Sequence, residues 1–290
     1  MQQPLSRRRF LGHLTAGSCV ASLTQLPLVS TAADDKLDFP LLDLHVHLDN
    51  STIDKVFELS QERGIKFGIV EHAGTKANQY PVVLSSDEEL GAYLKKLEGK
   101  AVFKGVQAEW TDWMSCFSPK TLAQLDYVLT DAMTFPGLDG NRVKLWEKGA
   151  DHRIDMADKQ KWMDHFVDWH VEIITREPID ILANVSWLPA PLADEYEVYW
   201  TSERVKKVVN AAVRYGVALE ISSSYKLPRL DFLKIAKADG ARFSFGSNGR
   251  YPNMGKLDYS VEMALALKLT QSDMFKPAPD GQKAVQRRKY

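Results

Sequence analysis

Short apolar runs alternate with amphipathic segments along most of this chain. Seven runs carry the strand pattern, at 40–47, 66–71, 102–109, 125–130, 179–184, 217–222 and 242–247. The segments between them predict helices, including one from Ser51 to before Gly64 and one from Thr201 to Gly216. Because strands that alternate with helices form parallel sheets, and seven are many for an open sheet of this length, we expect a closed or nearly closed barrel.

The segment 131–178 departs from this alternation. It contains glycine-rich turns and a long charged helix over about 156–176, so we expect it to cover the barrel mouth or to pack on the barrel's side. His165 and His170 of this helix lie beside aromatic residues, which favours packing or a solvated face over metal ligation. A helix from Ser86, with Glu89 completing a capping box, is also predicted.

The N-terminal residues resemble a twin-arginine export signal. The run from Arg7 to Leu11 precedes a modestly apolar stretch, and small residues end it at Ala33. We therefore expect a signal over 1–33, a single barrel domain over 34–290, passage through the twin-arginine translocon, and a periplasmic or secreted bacterial protein. The apolar stretch includes Thr, Gly, Ser and Gln, so no stable membrane span is expected.

The charge and the cysteine content limit which partners and which cysteine chemistry we expect. The full chain has a net charge of −1, and removal of 1–33, which holds three arginines and no acid, changes it to −4. With no basic patch, we expect a small-molecule substrate and no nucleic-acid partner. Cys116 is then the one cysteine left, so no internal disulfide can form, and its apolar neighbours favour a buried structural thiol.

Metal-ligating residue types follow three successive strands. His45 and His47 end the first run, and their spacing puts both imidazoles on one face of a strand, where they can hold one ion. Asp43 shares that face and could accept the outer N–H of a ligand histidine. Glu71-His72 and Glu109 end the next two runs. A partly buried histidine pair without metal remains the alternative for His45 and His47.

These motifs resemble the polymerase and histidinol phosphatase (PHP) superfamily. The resemblance rests on Asp43 to His47, Glu71-His72, Glu109 and the run 245–250. This run reads Phe-Gly-Ser-Asn-Gly-Arg, where the family has Gly-Ser-Asp-x-His. The resemblance implies an α/β fold, a distorted (βα)7 barrel of PHP type. It also implies phosphoester hydrolysis with up to three metal ions.

The late motifs differ from the family pattern. Met133 and Asn184 stand where the family has histidines, Asn248 replaces an aspartate and Arg250 replaces a histidine. The resemblance therefore implies at most one well-formed site, for one divalent ion (Zn, Mn or Fe), or none. Its ligands would be His45, His47, Glu109 and Asn248.

The leading hypothesis is an exported, PHP-like, mononuclear metal-dependent hydrolase of a small phosphoester or a similar small organic molecule. In that scheme His72 or Glu71 is the proton shuttle and Arg250 binds an anionic group. The alternative for Arg250 is an ion pair with a nearby acid such as Glu71. Two other functions stay open: a degenerate barrel that binds a ligand without catalysis, and an amidohydrolase-like mononuclear hydrolase, which also begins with H-x-H.

Overall fold

The computed structural model describes residues 37–49 and 51–288. The predicted export signal lies outside the described residues. Lys36–Tyr290 form one compact unit. The described residues contain ten strands: β1 Leu42–Val46, β2 Lys66–Ala73, β3 Val83–Leu84, β4 Phe103–Ala108, β5 Tyr127–Thr130, β6 Thr134–Pro136, β7 Arg142–Lys144, β8 Ile181–Leu182, β9 Ala218–Ser222 and β10 Phe243–Gly246.

The same residues contain ten α-helices. They are α1 Ile53–Arg63, α2 Asp87–Lys96, α3 Pro119–Leu122, α4 Lys159–Arg176, α5 Ala190–Ala193, α6 Tyr196–Tyr199, α7 Ser202–Tyr215, α8 Leu230–Ala238, α9 Asp258–Leu267 and α10 Ala284–Arg287. Short 3₁₀ turns occur at Lys76–Asn78, Trp113–Cys116, Ala150–Arg153 and Gln271–Asp273. No helix among the described residues is both long and apolar enough to cross a membrane.

Seven parallel strands form a nearly closed barrel in the order β1-β2-β4-β5-β8-β9-β10. The first and last strands meet where Val46 bridges Gly249 in parallel. There the His47 N–H donates to the Gly249 carbonyl at 2.9 Å, and the Gly249 N–H donates to the His45 carbonyl at 3.1 Å. Each of the seven predicted apolar runs overlaps one barrel strand, which confirms the α/β class and the barrel.

The barrel interior is filled by side chains and is not a pore. Tyr127 lies inside it, and its hydroxyl donates to the Leu44 carbonyl at 2.7 Å. Gly68 and Gly105 make room for this ring, because a Cβ at Gly68 would lie 2.3 Å from the Tyr127 hydroxyl oxygen and one at Gly105 would lie 2.5 Å from the ring. The packed interior leaves the carboxyl ends of the strands as the open end.

Helix boundaries follow local capping. Helix α1 begins after Thr52, whose side chain accepts from the Lys55 N–H, and it ends at Gly64 with a left-handed φ of 64°. The Ser86 side chain caps α2 by accepting from the Glu89 N–H. The Glu89 carboxylate accepts from the N–H of Ser85 instead of Ser86, at 2.6 Å, so the capping box predicted at Ser86 closes one residue earlier.

The segment 131–178 divides into a hairpin and a helix. The antiparallel pair β6–β7 contacts the loops after β2 and β4, where Arg142 bonds to Asn78 at 2.6 Å and to Asp112. Helix α4 packs on the barrel's side against α7. On α4, His165 is exposed and His170 is buried, so the interpretation of both as packing or surface residues is confirmed.

Candidate functional site

The end of β1 places two imidazoles side by side. His45 and His47 are both buried, and their ring centroids lie 5.2 Å apart. His72, from the end of β2, stacks against His47 with the centroids 4.9 Å apart. The strand ends therefore bring three histidine rings together at the barrel mouth.

His45 has partners for both ring nitrogens. Its Nδ1 lies 3.1 Å from an oxygen of Glu220 on β9, and its Nε2 lies 3.1 Å from the Oε1 of Gln107 on β4. Burial alone would lower the pKa of His45, but Glu220, with smaller contributions from Asp131 and Gln107, outweighs burial, and the pKa is raised. His45 is thus a hydrogen-bonded centre that links three barrel strands.

Asp43 does not hold a histidine ring as the sequence predicted. Its carboxylate accepts from the N–H and the hydroxyl of Ser247 and from the N–H of Gly255, which ties β1 to the loop after β10. Its one contact with His45 is a long bond from the backbone N–H, at 3.3 Å. Glu220, which lies far away in sequence, supplies the carboxylate for the imidazole instead.

His72 and Glu109 form a buried pair. The His72 Nδ1 lies 2.7 Å from a Glu109 oxygen, and the Tyr80 hydroxyl donates to the other oxygen at 3.2 Å. The Tyr80 ring also stacks on His72, with centroids 3.7 Å apart. Burial lowers the pKa of His72 to about 3 and raises the pKa of Glu109 to about 8. Near neutral pH the pair is therefore neutral, with the shared proton on the carboxyl group.

His47 differs from its neighbours because both of its ring nitrogens are buried without a hydrogen-bond partner. Burial lowers the pKa of His47 well below the usual histidine value, so the ring is neutral. Its ligand atoms and those of Asp49 and Glu71 all lie within 4.8 Å of one another. We call these three residues the His47 group.

The His47 group fits a divalent cation. The Glu71 Oε2 is buried without a partner, and its Oε1 accepts only from the Leu48 N–H, at 3.3 Å. Burial and the nearby Asp49 carboxylate raise the pKa of Glu71 to about 7. A neutral imidazole and two carboxylates are a donor set that suits Zn, Mn or Fe. Within the described ranges, His45 and Glu109 fall outside this group.

A cavity of about 160 Å³ opens at the barrel mouth beside these residues. Arg250 borders it, and the Arg250 Nε donates to Asp49 at 2.5 Å while its Nη1 donates to the Asn248 side-chain oxygen at 3.0 Å. The acid that pairs with Arg250 is thus Asp49 and not Glu71. The amide oxygen of Asn248, expected as a metal ligand, is bound by a guanidinium. The cavity is lined by His72, Tyr80, Gln107, Asp131, Met133, Trp146, Asn184, Tyr225, Asn248 and Arg250.

Several polar residues of the site were not predicted from the sequence, among them Asp49, Tyr80, Gln107, Asp131 and Glu220. The Asp131 carboxylate accepts from the Asn184 amide at 3.1 Å and from Gln107 at 3.4 Å, and burial raises its pKa to about 6. Asp131 directly follows the run 125–130, so the rule that drew attention to Glu109 would also have found it. Gln107 and Glu220 lie within apolar runs, where nothing marks them.

Comparison with known proteins gives little. No family model matches the chain, and no curated protein matches it. Among solved structures, the chain is similar to an HpcH/HpaI aldolase from Desulfitobacterium hafniense DCB-2, at 13% identity over 71% of this chain and 86% of that chain, with a TM-score of 0.34. A likeness this weak supports no inference about the activity of this protein.

Proposed function

We propose that this protein is an exported metal-dependent hydrolase of PHP type that holds one divalent ion and acts on a small phosphoester or a similar small organic molecule. The observation that carries the proposal is the pair of buried, unpartnered ring nitrogens of His47 beside Asp49 and Glu71. A buried polar atom without a partner costs about 1–3 kcal/mol, and an ion bound by this group would offset that cost.

The proposed ligands are His47, Asp49 and Glu71. When bound there, the ion would polarise the substrate and lower the pKa of a water molecule. Of the ligands inferred from the PHP resemblance only His47 is retained, because His45 and Glu109 fall outside the His47 group and the single side-chain oxygen of Asn248 accepts from Arg250.

The remaining side chains of the mouth bind the substrate and move protons. Arg250 borders the cavity with its side chain 42% exposed, so it can attract an anionic group. His72 lines the same cavity while its Nδ1 contacts the protonated Glu109. This pair stores one proton next to the cavity and can deliver it to a leaving group, which assigns the shuttle to His72 in preference to Glu71.

Metal binding by matched histidine variants tests the proposal. The purified protein should take up about one equivalent of Zn or Mn, measured by mass spectrometry after dialysis, and His47→Ala should take up none. His165→Ala removes an exposed histidine of α4 and should bind as the wild type does. Equal uptake by His47→Ala and the wild type, or no uptake by the wild type, would falsify the metal site.

Hydrolysis needs a separate measurement. The metal-loaded wild type should release nitrophenol from a nitrophenyl phosphoester faster than His47→Ala does. The second candidate function, a barrel that binds without turnover, is favoured by one observation: Arg250 is bonded to Asp49 and to Asn248 within the chain. Metal uptake without turnover of any phosphoester, carboxylic ester or amide would select that function.

A further inference from the structure

A larger cavity, of about 620 Å³, lies on the outer side of β2. Glu71 lines it, whereas His72, the next residue, lines the mouth cavity, as the alternation of side chains along a strand requires. Its walls come from the loop between β1 and α1, the segment before and within β3, and helix α2. The volume falls in the range of cavities that bury small organic ligands, about 300–1,000 Å³.

The walls of this outer cavity are largely apolar. Ile53 lies on one wall, Val82 and Leu84 on another, and Ala92 and Tyr93 on the face of α2. Val82 is 40% exposed and adds apolar surface to its wall. The apolar walls therefore suit the hydrocarbon part of a small organic molecule.

The base of the outer cavity offers a buried acceptor. Glu71 is 4% exposed, and its Oε2 has no partner among the described residues. The Ser51 hydroxyl, which also lines the cavity, is buried and unpartnered as well. Because buried polar atoms in native proteins are almost always hydrogen-bonded, a ligand with a hydroxyl or N–H group at this end would complete the site.

The opening of the outer cavity offers a cation. Lys96 is exposed on α2 and forms no hydrogen bond or ion pair with any residue of the described ranges. Lys76, the other lysine of the lining, is already bound by the Glu89 carboxylate at 2.7 Å and by the Val83 carbonyl. Lys96 is thus the charge available to an anionic group at the entrance.

We propose that the outer cavity binds a small aromatic acid that carries a hydroxyl or amino group at the end opposite its carboxylate. The ring system packs on Ile53 and Val82, the carboxylate meets Lys96, and the hydroxyl donates to Glu71. This site is separate from the mouth cavity. Its ligand uses the same Glu71 carboxylate as the proposed ion, so the ligand binds the ion-free protein and competes with the ion for Glu71. Since Asp49 and Glu71 border the outer cavity and also belong to the His47 group, the ligand lies beside that group.

Blocking the cavity tests the proposal. The probe is a hydroxynaphthoate with its two groups at opposite ends, titrated by calorimetry with a chelator present, so that the result does not depend on metal binding. Ala92→Trp places a large side chain in the cavity and should weaken binding at least tenfold. Lys95→Trp makes the same kind of change at an exposed position of α2 outside the lining and should leave the affinity unchanged.

Two further variants test the ends of the ligand. Lys96→Gln should weaken hydroxynaphthoate binding about two- to fivefold and leave naphthol binding unchanged. Glu71→Gln should weaken hydroxynaphthoate more than naphthoate, which lacks the hydroxyl. Equal affinities of Ala92→Trp and the wild type would overturn the proposal, as would equal losses with Lys95→Trp. If Ala92→Trp unfolds by circular dichroism, Val82→Trp blocks the same cavity from the β3 segment.

Discussion

The difference between His45 and His47 lies in what surrounds each ring. They are two residues apart at the end of β1 and both fully buried, yet His45 has partners for both nitrogens and His47 has none. Hydrogen bonds to Glu220 and Gln107 hold the His45 ring in place. A cation bound by His47 would need no existing hydrogen bond of that ring to be broken, which makes His47 the better anchor.

Arg250 competes with a cation for Asp49, since its Nε donates to that carboxylate. Arg250→Gln should therefore tighten Zn binding about fivefold, equivalent to about 1 kcal/mol for a partly exposed charge. Competition titration with a chromophoric chelator measures the change. Arg229→Gln removes a similar exposed partner, that of Glu197, and should have no effect. Weaker binding by Arg250→Gln would mean that the guanidinium positions Asp49 for the ion instead of competing with it.

Gly105 leaves space for the Tyr127 ring, because a Cβ at position 105 would lie 2.5 Å from that ring. Gly105→Ala should lower the free energy of unfolding by about 1–3 kcal/mol, as overpacking of a filled interior does. Gly91→Ala is the matched control: it lies in α2 with nothing within 4 Å of a Cβ, and should raise stability by about 0.5–1 kcal/mol. Urea unfolding compares the two variants. Equal changes in the free energy of unfolding of the two variants would show that the barrel interior can accommodate an added methyl group.

Elements of the barrel could be predicted from the sequence because strands buried on both faces are continuous apolar runs. Several short elements could not: β3 has two residues and α5 and α6 have four each, which is too short for a periodic pattern to be recognised. Strand β8 was still found because the run 179–184 around it is apolar. The hairpin β6–β7 was expected only as turns, since Arg142 and its partners on the neighbouring loops decide its position.

Helix α4 carries a buried histidine that should make the fold sensitive to acid. The His170 Nδ1–H donates to the Phe166 carbonyl at 2.7 Å, and the ring packs on Trp200. Burial lowers the pKa of His170 to about 4, below the usual value of 6.5 that it regains on unfolding. The unfolded chain therefore binds a proton that the folded protein excludes, and the free energy of unfolding falls as the pH drops from about 7 towards 4.

This pH dependence should amount to at most about 3 kcal/mol, from 1.36 kcal/mol per unit. His170→Phe removes the titration, so its free energy of unfolding, from urea titrations at several pH values, should fall less over this range. Loss of the bond to Phe166 should make the variant about 1 kcal/mol less stable at neutral pH. His165→Phe, at the exposed position, should keep the wild-type slope. If the free energy of unfolding of both variants falls with pH as steeply as that of the wild type, the acid sensitivity arises from other groups.

At the scale of the whole molecule, only part of the site could be predicted from the sequence. The rule that chemistry collects at the carboxyl ends of parallel strands brought His47, His72 and Glu109 to one place. The rule does not predict which ligand atoms lack a hydrogen-bond partner, because that depends on side chains from strands on other sides of the barrel. Glu220, for example, contacts His45 across 175 residues of sequence. The partner of Arg250 likewise depends on how the loop with Asp49 meets the loop after β10.

The predicted export concerns the whole molecule, and the predicted signal lies outside the described residues. The segment from Arg7 to Leu11 resembles a twin-arginine signal. A triple change of Arg7, Arg8 and Arg9 to lysine keeps every positive charge, so it alters the arginine side chains without altering electrostatics. The mature form should then fail to accumulate in the periplasm of a bacterial host and remain as precursor, seen by fractionation and immunoblotting.

A matched triple change of Arg204, Arg214 and Arg229 to lysine within the barrel domain should leave export unchanged. Normal processing of the first variant would reject the twin-arginine assignment and would leave the metal site and the outer cavity unaffected, since both are built from residues of the Lys36–Tyr290 unit.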